Sequence, residues 1–158
     1  VADPLETRDV LAAHPAVAAE LGVANVVYTS TEDVVVTETP APGGDESLPY
    51  AKKPMHDYVR TKIAGERAVL AANVRGGLAT CALRPQHVYG PHDPHALEQS
   101  ITEVAAGRLP FLMGDGSARF GVVYVDNVAH AHLLAAALLD ELRGVAAEIS
   151  EARPHAVA

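Results

Sequence analysis

Apolar positions along the chain follow two periods that alternate. Val10 to Leu21 is apolar at helical spacing, with Pro15 set to break or restart the helix. "NVVYTS" (Asn25–Ser30) is a β-branched and aromatic run that reads as a buried strand. Thr37 to Tyr50 holds "TPAPGGDESLP", a loop without a period. Tyr58 to Asn73 predicts a helix, with Ile63, Val69 and Leu70 on its apolar face and Glu66 and Arg67 on a wet one. "GGLATCALR" (Gly76–Arg84) turns into a second buried strand, and "PQHVYGPHDPH" is a loop carrying three prolines. Ala96 to Gly107 predicts a helix ending in glycine. "LPFLM" is a short strand, "GDGSARFG" a turn-rich loop and "GVVYVDN" an extended piece. Val128 to Leu142 is a strongly apolar helix, and "VAAEIS" reads as one more strand.

Strands that are continuously apolar and alternate with helices predict an α/β domain with parallel strands. In such sheets ligands gather beyond the carboxyl ends of the strands. The segments to inspect for chemistry are therefore "YTST" and "LRPQHVYGP".

Composition narrows the function classes. The chain has 158 residues, 49% of them apolar, no Trp and 4% aromatics, so one aliphatic core is expected. Twelve basic residues against twenty acidic ones give a net charge of -8, which disfavours nucleic acid and anionic membrane as partners. The longest apolar run, "AHLLAAALL", is too short to span a bilayer. A lone cysteine, Cys81, excludes an intrachain disulfide and sits in an apolar run, as a buried inert thiol would. The start "VADPLETRDV" lacks the charged and apolar regions of a signal peptide, so a cytoplasmic, reducing location is the expectation.

Tyr58 precedes Lys62 by four residues, so on a helix the two share one face. A phenol with a pKa near ~10 is a poor base at neutral pH. An adjacent ammonium stabilises the phenolate and makes the pair a proton-transfer device. The same spacing also occurs by chance between an aromatic and a surface lysine. Thr29, Ser30 and Thr31 place hydroxyls at the end of the preceding strand, where a substrate oxygen can be bonded.

The segments "VVYTST", "DESLPY", the Tyr58/Lys62 pair, "LRPQHVYGPHDPH" and "GDGSARFGVVYVDNVAHAHLLAA" together resemble the extended short-chain dehydrogenases/reductases. Within them the chain is similar to the 3β-hydroxysteroid dehydrogenase branch, from Leu5 onward. The resemblance implies a partial Rossmann-like, doubly wound parallel sheet, with substrate-region elements around residues 86–126 and 145–158 of a single partial dinucleotide-binding domain. It implies NAD or NADP as cofactor and a steroid or other secondary alcohol as substrate. Tyr58 would be the general acid/base and Lys62 would lower its pKa and bond the nicotinamide ribose. Thr31, with Ser30 as the alternative, would orient the substrate oxygen, and Ser30, Pro85, His87 and Val88 would border the cofactor. Asp126 and Asn127 match the family's "VDN" and read as structural. The family often pairs through the helix bearing Tyr58, so a homodimer is one expectation.

The departures are also specific. No G-x-x-G-x-x-G turn for the pyrophosphate occurs, and "DPLET" stands where the family has Asn-Val-x-Gly-Thr. Three expectations follow: a fragment or truncated form, a relative that lost cofactor binding and became an interaction scaffold, or a partner chain supplying the missing half. Nucleotide-sugar epimerases share the Tyr/Lys pair and remain an alternative activity. Arg84 reads equally as a cofactor contact or as a salt bridge positioning its loop. Arg119 reads as a solvated loop residue. His87, His92 and His95 match no zinc spacing, and His130 and His132 face different directions on their helix.

Overall fold

β-branched and aromatic side chains favour a pleated, buried backbone, and "NVVYT" forms strand β1, Asn25–Thr29. In the computed structural model the described residues are 17, 20–36, 44–73, 77–93, 97–108, 115 and 121–151. β1 runs into a one-turn 3-10 helix, Glu32–Val34, capped by the Thr31 hydroxyl accepting from the Asp33 N–H. Helix α1, Asp57–Ala71, follows the loop, and strand β2, Ala79–Leu83, lies parallel to β1 with Asn25 opposite Ala79 and Thr29 opposite Leu83. A parallel pair needs such a crossover, since its strands cannot be joined by a tight turn.

Three apolar side chains of α1 carry its packing: Val59, Ile63 and Val69 are 3%, 7% and 3% exposed. Val59 and Ile63 close over Val34 of the 3-10 turn, and Val69 packs on Tyr28 of β1. Burying each such side chain stabilises by about 1.5–3 kcal/mol, more than helix propensity alone provides in a helix this short.

Successive side chains of a strand point to opposite faces. Val26 and Tyr28 meet α1. Asn25 and Thr29 meet the long helix α3, Val125–Glu151, through Asn25 Nδ2 to Asp140 Oδ1 at 2.6 Å and Thr29 Oγ1 to His132 Nε2 at 2.7 Å. α1 thus packs on one face of the β1–β2 pair and α3 is bonded to the other, as in the doubly wound α/β arrangement that the family resemblance implies.

The described residues divide into two compact units, one drawn from 1–85 and 131–158 and the other from 86–130. The second contains strands β3, His87–Tyr89, and β4, Val122–Tyr124, paired in parallel, and helix α2, Leu97–Ala105. Tyr89 and Tyr124 meet edge to face at 5.5 Å, a favoured aromatic geometry.

Several expectations change. "VAAEIS" is the end of α3, not a strand. That helix starts at Val125, three residues before the apolar period begins, and its first turn contains Asp126 and Asn127. His87–Tyr89 is a strand inside the stretch read as a loop. Glu66 is not on a wet face: it is 1% exposed. "LPFLM" and most of Val10–Leu21 lie outside the described residues, although the Leu21 N–H bonds the Val17 carbonyl as a helical turn would. Among the described residues no helix is long and apolar enough to cross a membrane.

Candidate active site

The carboxyl ends of β1 and β2 are stitched beyond the strands themselves. Ser30 N–H donates to the Leu83 carbonyl at 2.7 Å, and Glu32 N–H donates to the Pro85 carbonyl at 3.3 Å. These bonds fix the "TST" segment against "LRP", and they occupy the Pro85 carbonyl within the fold.

Helix α1 brings Tyr58 and Lys62 to this end. Lys62 Nζ donates to the Thr29 carbonyl at 3.1 Å and lies 5.6 Å from the Tyr58 ring and 5.5 Å from the Tyr28 ring. Cation–π attraction to two rings and one charge-assisted bond hold the ammonium at the strand end. Tyr58 is 41% exposed.

The three hydroxyls of "TST" differ in their surroundings. Thr29 is exposed and bonded to His132, on the face away from α1. Ser30 is buried, and its Oγ makes no well-formed bond, though it faces Glu66 closely enough to favour the charged carboxylate. Thr31 is buried, accepts from Asp33 N–H and donates to Glu32 Oε2 at 3.2 Å. Its proton is engaged by a carboxylate, so bonding a substrate oxygen would require that bond to exchange. His87 and Val88 belong to the second unit, where they pair with Val122 and Val123.

Arg84 forms a salt bridge, one of its two expected roles, with Glu66 of α1. Its Nη2 lies 2.6 Å from Glu66 Oε1, and its Nε donates to both carboxylate oxygens. Tyr50 Oη donates to the same Oε1 at 2.8 Å. Burial pushes the Glu66 carboxyl up, but the bonds from Arg84 and Tyr50, with the nearby Ser30 hydroxyl, together hold it below the ordinary glutamate value. Burial, with the adjacent Glu66, pushes the Tyr50 phenol up. The Arg67 and Arg84 guanidiniums lie 4.7 and 5.4 Å from the Tyr50 ring. Glu66 and Tyr50 were missed in the sequence, and the only signal was that Glu66 continues the four-residue step from Tyr58 through Lys62. Among the described residues no group of His, Cys, Asp and Glu is placed to hold a metal.

The profile of the 3-beta hydroxysteroid dehydrogenase/isomerase family matches residues 6–152. A "3beta-hydroxysteroid-dehydrogenase/decarboxylase isoform 1" of Arabidopsis thaliana is 42% identical over 117 residues, 73% of this chain and 27% of that protein. A "sterol-4-alpha-carboxylate 3-dehydrogenase, decarboxylating" of Mus musculus is 38% identical over 139 residues, 85% of this chain and 38% of its own length. The chain thus spans roughly a quarter to two fifths of these curated relatives. Among solved structures, the Thermus thermophilus UDP-glucose 4-epimerase in complex with NAD superposes with a TM-score of 0.59 at 30% identity, covering 77% of this chain and 42% of that one. A UDP-N-acetylglucosamine 4-epimerase from Methanobrevibacter ruminantium gives a TM-score of 0.61 at 26% identity, covering 74% and 39%. A family profile matching nearly the whole chain, set on a doubly wound parallel fold with Tyr58 and Lys62 together at a strand end, identifies this chain as a member of the 3-beta hydroxysteroid dehydrogenase/isomerase family.

Proposed function

We propose that the chain carries the proton-transfer half of an NAD(P)-dependent oxidoreductase site that oxidises a secondary alcohol of the steroid class. The observation that carries this reading is the Lys62 ammonium 5.6 Å from the half-exposed Tyr58 ring, anchored on the Thr29 carbonyl. Lys62 stabilises Tyr58 as the phenolate, whose Oη takes the hydroxyl proton of the substrate and becomes the phenol. Thr31, or Ser30 beside it, holds the substrate oxygen. A bound nicotinamide would supply the hydride acceptor, so that loss of the proton to Tyr58 and of the hydride leaves a ketone. The donor set suits a ribose diol, because an ammonium has three N–H donors and the Thr29 carbonyl takes one. Pro85, His87 and Val88 would line the cofactor, and residues 86–126 and 145–158 would contribute to the substrate region of one partial domain.

The test is oxidation of a 3β-hydroxysteroid by the chain with NAD or NADP, read as reduced nicotinamide and as ketone. Tyr58→Phe should lower the rate by about 10²-fold or more, the usual worth of general acid–base catalysis. A variant as fast as the parent would sink the proposal. The epimerase neighbours favour one second reading, sugar epimerisation with the same pair. It predicts an epimer and no net reduced cofactor from a nucleotide sugar.

A further inference from the structure

The proton-transfer reading gives Glu66 no part, yet Arg84 and Tyr50 both bond this buried carboxylate. This inference rests on that reading of Tyr58 and Lys62. Tyr58, Lys62 and Glu66 step along α1 four residues at a time, and each step turns the side chain by about 40°. The stripe sinks as it turns: Tyr58 is 41% exposed, Lys62 is intermediate and Glu66 is 1% exposed. At the sunken end, Arg84 reaches Glu66 from the end of β2 at 2.6 Å, and Tyr50 reaches it from the loop before α1 at 2.8 Å. Arg67 stacks over Tyr50 from α1 itself. One carboxylate therefore joins the helix, the β2 end and the loop, beside Ser30 at the end of β1.

The apolar contacts of α1 cannot do this alone. Burial of Val59, Ile63 and Val69 is non-directional and tolerates small rotations of the helix. An arginine fork on a carboxylate is directional and tolerates little. We infer that Glu66, clamped by Arg84 and Tyr50, is a positioning residue that fixes the rotation of α1 against β1 and so keeps the Lys62 ammonium anchored on the Thr29 carbonyl, where it lies beside the Tyr58 ring.

The sign of one titration separates positioning from mere stability. The Tyr58 phenol is followed in the full chain by ultraviolet difference absorbance, each variant against the same variant carrying Tyr58→Phe. Lys62→Ala should raise the Tyr58 midpoint by about half a unit to two units, the Coulomb range for an ammonium at this distance. Glu66→Gln removes a negative charge and leaves Arg84 unneutralised, so direct electrostatics would lower the midpoint. Loss of the Lys62 contact would raise it. A rise part of the way to Lys62→Ala supports the inference. An unchanged or lowered midpoint in folded Glu66→Gln, with Lys62→Ala raised, overturns it and leaves the Tyr58–Lys62 pair standing. An unmoved midpoint in Lys62→Ala removes both. If Glu66→Gln does not fold by circular dichroism, Tyr50→Phe decides, since it deletes one bond and no charge. A smaller rise there supports the clamp, and no rise overturns it.

Discussion

Burial alone would favour a protonated Glu66, and three donors around it reverse that preference. A carboxyl depressed in the folded state adds stability that is complete above its unfolded pKa, about 4.3, and is lost as pH falls toward the folded value. Urea midpoints of the parent should therefore fall with acid below about pH 5 more steeply than those of Glu66→Gln. Parallel acid profiles would contradict this. At neutral pH the same substitution should destabilise by about 3–5 kcal/mol, because it leaves Arg84 without its counter-charge. At this scale the sequence was informative where partners are local. Tyr58 and Lys62 share a helix face by spacing alone, whereas Cys81, expected to be buried, is only partly so, with burial pushing its thiol up. Glu66 was misread because its partners, Tyr50 and Arg84, are remote along the chain, and a charged side chain in a helical period counts as wet until they are known.

Two glycines in helices separate packing from propensity. A Cβ on Gly65 would lie 2.9 Å from Tyr28 Cζ and closer still to the hydroxyl, and Tyr28 is boxed in by Val69. A Cβ on Gly144 of α3 would meet nothing within 4 Å. Replacing helical glycine by alanine gains about 1 kcal/mol from propensity. Overpacking a closed site costs about 1–3 kcal/mol. Thermal melts should thus show Gly144→Ala stabilised and Gly65→Ala destabilised, the latter also displacing the ring that Lys62 lies over. Equal shifts for both would mean that the helix and strand part easily. β1, α1 and β2 were legible because their periods are long or their runs β-branched. His87–Tyr89 was hidden between Pro85 and Pro91, which signal a loop. "VAAEIS" was read alone as a strand, whereas an apolar helix already running from Val125 carries its β-branched residues along.

In the larger unit the two strands in register come from distant parts of the sequence, with α1 packed over one face and α3 bonded to the other. The helix α2 of the second unit instead leaves Ile101 and Val104 more than half exposed. Native-state hydrogen exchange should find its slowest amides in β1, β2 and the Val59–Val69 stretch of α1, and its fast ones in α2. Equal protection across these elements would contradict that order. The α/β class with parallel strands was legible from alternation and the doubly wound arrangement from the family resemblance, while the division into two units left no trace in the hydrophobic pattern. The stepped stripe on α1 also limits how the gene can change length. Tyr58 and Glu66 answer to different neighbours, so one codon gained or lost between residues 59 and 65 would swing one against the other by about 100°. Residues 44–49, exposed or nearly so and outside any helix or strand, carry no such constraint. Length variation should accumulate in that loop and be absent from the first two turns of the helix.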